Sequence, residues 1–341
     1  MNRTRQVQSF LLVLIMGFLA GPRVMEALQR SEPIQSGNGI TAIAAQGTDQ
    51  LNEASTTVIK DVTPYSNLGL EAKSVYVWDV STHRVLFSKN TDQKLPLASV
   101  TKMMMALVAV ELLPPDKQVT INSNDLLEEG DSGLFVGEKW SLSTLLKFTL
   151  VASSNDGASA IASVAGASLL QNASTSDPFT NKKLFIEKMN EKAAVIGLTN
   201  THFSNESGLD IDSVTGGAYG TTRDMAMLFE YIYLKHPELF SATTYAKIDV
   251  NSNDNIIHHV ANTNEGVSTI SGLIGSKTGY TDLAGGNLVV LVDIGFDHPV
   301  VIAVLGSTRT GRFTDVEKLI AATVRSVTND SAAHDGAGNT K

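Results

Sequence analysis

Ser99-Val100-Thr101-Lys102 places a hydroxyl and an amine three residues apart at the start of an apolar stretch. On a helix that spacing sets both side chains on one face about a turn apart, close enough for proton transfer. A serine hydroxyl is a poor nucleophile until a base takes its proton, and a desolvated amine with a lowered pKa can be that base. A helix N-terminus and a second cation nearby would each push the amine in that direction. The plain alternative is a capping serine before a surface lysine. The residues that follow count against it. Met103 to Val110 are almost wholly apolar, so the helix is expected to be buried nearly all round, and a buried amine without a partner is costly.

Two further groups of polar residues stand out. Ser153-Ser154-Asn155 breaks an otherwise apolar region, and a hydroxyl and a carboxamide two residues apart in a loop can pass a proton and hold a substrate amide. Taken alone, this triplet reads first as a simple helix cap. Ser36-Gly37-Asn38 repeats the pattern in a flexible segment that offers no rigid geometry. Lys277-Thr278-Gly279, followed by Tyr280, opens an extended segment. It offers a fixed positive charge, a hydroxyl able to bind a carboxylate, and a glycine that lets a substrate backbone approach closely. Arg309-Thr310-Gly311 imitates this triplet in a polar loop further on.

The elements that must position these groups follow from periodicity and punctuation. Residues 73–80 and 84–88, joined by a short polar turn, predict a strand hairpin. Residues 98–113 predict an apolar helix closed by Pro114 and Pro115. Further helices are expected over 143–151, 156–165, 183–196 and 223–234, the last opened by Thr221 and Thr222 as cap candidates. Extended segments return at 275–279, 287–294 and 300–305, before a final helix over 315–327. Strands at both ends with helices between them predict an α+β fold, in which an antiparallel sheet shared by the first and last segments is flanked by helices. The helical middle is expected to form a second lobe, with polar groups converging in the cleft between the two.

The chain has 341 residues, 43% hydrophobic and 18% charged, which is enough to bury a full core. Its formal net charge of −9 argues against a nucleic-acid partner, which needs a concentrated Lys/Arg surface. The absence of cysteine excludes a disulfide, a thiolate metal site and a cysteine nucleophile. Among the seven histidines the close pair His258 and His259 points to opposite faces if extended, so no metal site is expected. Arg3 and Arg5 precede an apolar run from Phe10 to Ala20, which has the length of an export-signal core rather than of a spanning helix. Residues 1–30 are therefore expected to be a signal peptide or, since no small-x-small cleavage site follows, a short membrane anchor. Residues 31–67 read as a flexible linker, 68–327 as the folded domain and 328–341 as a disordered tail.

Each triplet is weak alone; together, in this order and on helix start, loop and strand start, they are strong. On them the chain resembles the low-molecular-mass penicillin-binding proteins, the serine D-Ala-D-Ala carboxypeptidase family, over residues 68–327. The likeness extends to GLTNTHFSNESGLD (197–210), YGTTRDMAM (219–227), Asn262-Thr263-Asn264 and GSKTGYTDLAGGNL (275–288). The resemblance implies a β-lactamase/transpeptidase-like fold and a place outside the cytoplasmic membrane, on its periplasmic or extracellular face. It implies removal of the terminal D-alanine from peptidoglycan stem peptides ending in D-Ala-D-Ala, β-lactam antibiotics as acylating inhibitors, and no cofactor. Residue by residue, it implies that Ser99 attacks the carbonyl between the two D-alanines while Lys102 accepts its proton. Ser153 and Lys277 would pass a proton to the leaving amine, and Asn155 would hold the substrate amide. The backbone N–H groups of Ser99 and Tyr280 would form an oxyanion hole beside Gly279. Thr278 would meet the terminal carboxylate, with Arg309 as the assisting cation; Arg312 also follows the strand, and the family's pattern does not register cleanly between the two.

Many members of that family carry a second β-rich domain and a terminal amphipathic helix, so membrane attachment of this chain is expected to use the N-terminus. Arg223 is read as a scaffold residue that anchors the core through an ion pair. Three other functions compete. A DD-endopeptidase uses the same groups. A β-lactamase needs a base for the deacylating water, and Glu187 is the candidate, although its spacing to Asn190 is one short of that pattern and the segment reads as a regular amphipathic helix. A penicillin-binding scaffold without turnover is the third, and the presence of every motif side chain counts against it.

Overall fold

The computed structural model describes residues 64–130, 133–170, 177–295 and 297–337. The expected export segment, nearly all of the expected linker and the Ser36-Gly37-Asn38 repeat lie outside the described residues. The hairpin β1 (Ser74–Asp79) and β2 (Arg84–Lys89) is followed by a two-residue strand, β3 (Leu95–Pro96). A 3-10 turn over Ala98–Thr101 leads into α1 (Lys102–Leu112). The short pair β4 (Gln118–Thr120) and β5 (Lys139–Ser141) precedes α2 (Leu142–Ala152), α3 (Asn155–Ala167) and α4 (Pro178–Ile196). β6 (His202–Phe203) and β7 (Ala218–Gly220) bracket a loop, α5 (Thr222–Lys235) follows, and β8 (Lys247–Asn251) pairs with β9 (Ile257–Ala261). Three long strands, β10 (Leu273–Thr281), β11 (Gly285–Asp293) and β12 (Pro299–Ser307), lead to α6 (Gly311–Ala337).

The expected α+β arrangement forms. Five antiparallel strands run in the order β10-β11-β12-β1-β2, so the first hairpin and the last strands share one sheet. Its central strands are covered on both faces, which is why they read as continuous β-branched runs rather than as an alternation. Val289, Leu291, Val301 and Ala303 pack toward the helical lobe, while Leu288, Val290, Val300 and Ile302 pack with Val316, Leu319 and Ala322 of α6. This is the period of two that a pleated strand imposes.

Two boundaries differ from expectation. Residues 328–337, expected as a disordered tail, are helical, because α6 begins at Gly311 and continues through Ala337. The packed structure also starts before residue 68. Tyr65 is buried, stacks on Phe87 at 5.0 Å and donates its hydroxyl hydrogen to Thr323 of α6 at 3.0 Å. An aromatic with a polar tip can be both packed and hydrogen-bonded, which holds Tyr65 against the fold. Arg223 is not a core anchor: its side chain is 51% exposed and sits 3.6 Å from a still more exposed Asp92, a pairing of little energetic worth.

The helical lobe depends on a close approach of α3 and α4 at Gly166. A Cβ there would lie 1.8 Å from the carbonyl oxygen of Asn181. Alanine is favoured over glycine in helix interiors by about 1 kcal/mol, yet here the overlap with backbone outweighs that gain. Gly166→Ala is expected to lower the urea midpoint of unfolding, and a raised midpoint would show that α4 yields at little cost.

Candidate active site

Lys102 is the first residue of α1 and is fully buried. Its Nζ donates to Ser99 Oγ at 2.9 Å, to Asn155 Oδ1 at 2.6 Å and to the carbonyl of Ser207 at 2.9 Å, so the three protons of an ammonium have three acceptors. Burial pulls its pKa from 10.5 down to about 7, against the opposing pull of Glu206 and Glu128. Near neutral pH a substantial share of Lys102 is the free amine that can accept a proton from Ser99. The residue before the nucleophile, Ala98, holds a positive φ of 47°, a conformation that persists only where its surroundings enforce it.

Asn287 on β11 supplies part of that enforcement. Its Nδ2 donates to the carbonyls of Pro96 and Leu97 at 2.9 and 3.0 Å, and its Oδ1 accepts from the N–H of Gly306 at 2.8 Å. An orphaned buried polar group costs about 1–3 kcal/mol. Asn287→Ala strips the Pro96 carbonyl and the Gly306 N–H of this partner, while the Leu97 carbonyl keeps the Val100 N–H at 3.2 Å, and it is expected to destabilise the fold by about 2 kcal/mol in urea titration. A midpoint like that of the wild type would mean that these groups find other partners.

The Ser153-Ser154-Asn155 triplet divides its duties. Ser154 is the cap, accepting the N–H of Gly157 at 2.9 Å. Ser153 ends α2 with a left-handed φ of 60°, which turns its hydroxyl to Lys277 Nζ at 2.9 Å. Lys277 is also buried, and its pKa lies well below 10.5 through burial first and then through the charges of Lys102 and Arg312. Asn155 is held from two sides. Its Oδ1 accepts from Lys102 and its Nδ2 donates to the Glu129 carbonyl at 2.6 Å, which fixes the amide plane and leaves one lone pair and one N–H for a substrate amide.

On β10, Thr278 Oγ1 lies 2.6 Å from Thr263 Oγ1. Gly279 carries no side chain for a reason other than the one expected. A Cβ there would meet the chain itself, 2.8 Å from the Leu97 carbonyl oxygen and 3.2 Å from the Ser99 nitrogen, so the close approach is that of the nucleophile segment. Tyr280, the next residue, is exposed. The two arginines separate clearly. Arg309 is exposed, with its guanidinium 5.1 Å over the Tyr280 ring. Arg312 is only 6% exposed and donates to the Gly279 carbonyl at 2.7 Å, while its Nε is buried without a hydrogen-bond partner. Burial lowers its pKa to about 10.

The structure thus brings Ser99, Lys102, Ser153, Asn155, Lys277, Thr278 and Gly279 into one continuous arrangement, with Arg309 at its rim. Sequence reasoning missed the Ser207 and Glu129 carbonyls, Asn287 and Thr263. Ser207, Thr263 and Asn287 lay within motif stretches already singled out, but residue type does not mark which backbone oxygen holds a lysine. Glu187 is exposed on α4 and joins none of these groups. Among the described residues no three His, Cys, Asp or Glu side chains gather as a metal site, and His258 and His259 point to opposite faces of β9, the first buried and the second exposed.

The Peptidase S11 family model, described as D-alanyl-D-alanine carboxypeptidase, matches residues 61–309. D-alanyl-D-alanine carboxypeptidase DacF of Bacillus subtilis is 30% identical over 261 residues, which is 75% of this chain and 62% of that protein. The chain therefore spans less than two thirds of that relative. A D-alanyl-D-alanine endopeptidase of Pseudomonas aeruginosa is 31% identical over 252 residues, 72% of this chain and 74% of that one. Among solved structures, penicillin-binding protein D2 from Listeria monocytogenes in its ampicillin-bound form superposes with a TM-score of 0.59 at 26% identity, covering 74% of this chain and 97% of that one.

Proposed function

The chain belongs to the D-alanyl-D-alanine carboxypeptidase family, and we propose that it removes the terminal D-alanine from peptidoglycan stem peptides through an acyl-enzyme on Ser99. The observation that carries this reading is the fully buried Lys102 amine, 2.9 Å from the Ser99 hydroxyl, with Lys277 held on Ser153 across the site. In its neutral form Lys102 takes the Ser99 proton as Oγ bonds to the carbonyl carbon between the two D-alanines. The N–H groups of Ser99 and Tyr280, on backbone segments packed together at Gly279, receive the oxyanion. Collapse of the tetrahedral intermediate breaks the C–N bond, and Ser153, fed by Lys277, delivers the proton to the departing amine. Water then hydrolyses the ester and regenerates Ser99.

The terminal carboxylate of the substrate is assigned to the Thr278 hydroxyl with Arg312, whose partnerless buried Nε leaves donor capacity beside β10, rather than to Arg309. A β-lactam presents a strained amide to the same nucleophile, and the Listeria relative is a structure with ampicillin bound. Because the substrate is cell-wall material, we place the protein outside the cytoplasmic membrane, exported and either released or held there by residues 1–30.

The test is intact mass over time after mixing the purified protein with a penicillin, with peptide mapping of any adduct, alongside D-alanine release from a peptide ending in D-Ala-D-Ala. A long-lived adduct on Ser99 together with released D-alanine supports the proposal. Rapid loss of the adduct points to a β-lactamase, and no adduct leaves a scaffold. The endopeptidase reading is favoured by the Pseudomonas relative that bears that name. Cleavage of cross-bridged peptides faster than release of terminal D-alanine would decide for it.

A further inference from the structure

We infer that Lys182 is a positioning residue for this site, a single ammonium that ties Glu128 to Glu206 and so fixes the two backbone carbonyls holding Asn155 and Lys102. The inference rests on the acylation chemistry proposed for Ser99 and Lys102. Lys182 lies on α4, which contributes no other group to the catalytic arrangement described above. Its Nζ is 2.9 Å from Glu128 Oε1 and 3.3 Å from Glu206 Oε1, and the three side chains are only 19%, 27% and 5% exposed. Each carboxylate belongs to the residue immediately before a functional carbonyl. Glu128 precedes Glu129, whose carbonyl accepts from Asn155 Nδ2 at 2.6 Å. Glu206 precedes Ser207, whose carbonyl accepts from Lys102 Nζ at 2.9 Å. Two loops from distant parts of the chain are thereby clamped by one cation from a third element, one residue away from each hydrogen bond that orients the catalytic amine and its amide partner.

The clamp also has an electrostatic consequence. Glu206 and Glu128 are the two carboxylates that raise the pKa of Lys102 against its burial. The Lys182 ammonium offsets both. On β10, Lys277 faces the same amine, and the charges of Lys102 and of Arg312 on α6 add to burial in lowering its pKa. Asp210, in the same loop as Glu206, is engaged by Thr281 Oγ1 at 3.0 Å, and Asp156 is buried next to Asn155 on α3. Without Lys182, Glu206 would be a nearly buried anion without its ion-pair partner, and its charge would act on Lys102, to which it is already coupled.

The test is the pH dependence of acylation of the full chain by a fluorescent penicillin, for the wild type and for Lys182→Met, Lys182→Arg and Glu206→Gln. Lys182→Met keeps the apolar stem but leaves both carboxylates uncompensated. It should favour charged Lys102 and shift the acid limb of the profile upward by about one pH unit. Lys182→Arg should restore the wild-type limb. Glu206→Gln removes one of the anions that favour charged Lys102, so its limb should move to lower pH. A wild-type limb in Lys182→Met, whether or not the rate falls, overturns the inference, since a merely structural role would lower the rate without moving the limb. If Lys182→Met does not fold, Glu206→Gln decides, and an unmoved limb there overturns it equally. Failure of the wild type to acylate at Ser99 would defeat the underlying functional reading instead, which separates the two.

Discussion

A Ser99→Ala chain mixed with a penicillin is expected to keep its unmodified mass, and to release D-alanine at a rate reduced on the order of 10⁶-fold, as when a serine nucleophile that works as a unit with its base is removed. No other group around Ser99 can replace it. Lys102 is boxed in by three acceptors, and Ser153 is engaged by Lys277. The substitution removes one of the three Lys102 acceptors, so a modest loss of stability, about 1 kcal/mol, accompanies it. Circular dichroism should nevertheless show a folded chain. An adduct of the same mass at any other residue, or undiminished D-alanine release, would remove Ser99 from the mechanism.

Loss of the base should be nearly as severe. Lys102→Ala is expected to slow acylation by about 10²–10⁴-fold, the range for a missing general base. The wild type should show the matching pH dependence. Lys102 works as a base only when neutral, and burial places its pKa at about 7, so the acylation rate should rise with pH through that value and fall below it as the ammonium forms. An ascending limb near pH 7 that survives in Lys102→Ala would belong to another group. Lys277, the other buried amine in the site, would then be the first residue to examine. Near-normal D-alanine release by Lys102→Ala would dismiss Lys102 as the base.

These two predictions were legible in the sequence because they rest on local geometry. A hydroxyl and an amine three positions apart at a helix start meet wherever the helix is placed. The apolar run after Lys102 announced that the amine would be buried, and Lys102 is fully buried. The sheet was legible for a similar reason, since β-branched runs at both ends of the chain had to pair with something, and β1 lies beside β12. Boundaries were less legible. Side-chain caps such as Asp177, which accepts from Phe179 and Thr180, carry helices beyond their apolar stretches. Tyr65, buried and bonded to Thr323, shows that packing begins a few residues before composition suggests.

The sequence by itself determined which functional groups are available, their order, and the elements that carry them, because spacing and periodicity act over a few residues. Tertiary structure decided what those groups can do. The Lys102 amine meets the Ser207 carbonyl across 105 positions of chain and Lys277 meets Ser153 across 124, and no local pattern encodes either approach. Those encounters bury both amines, and burial is the main cause of the lowered amine pKa values on which the proposed acylation depends. They also gave Gly279 its necessity, against the backbone of the nucleophile segment rather than the substrate, and placed Arg312 beneath the strand while Arg309 stayed at the rim. Desolvation and hydrogen-bond geometry are properties of the assembled lobes, and they exist only once distant segments have packed together.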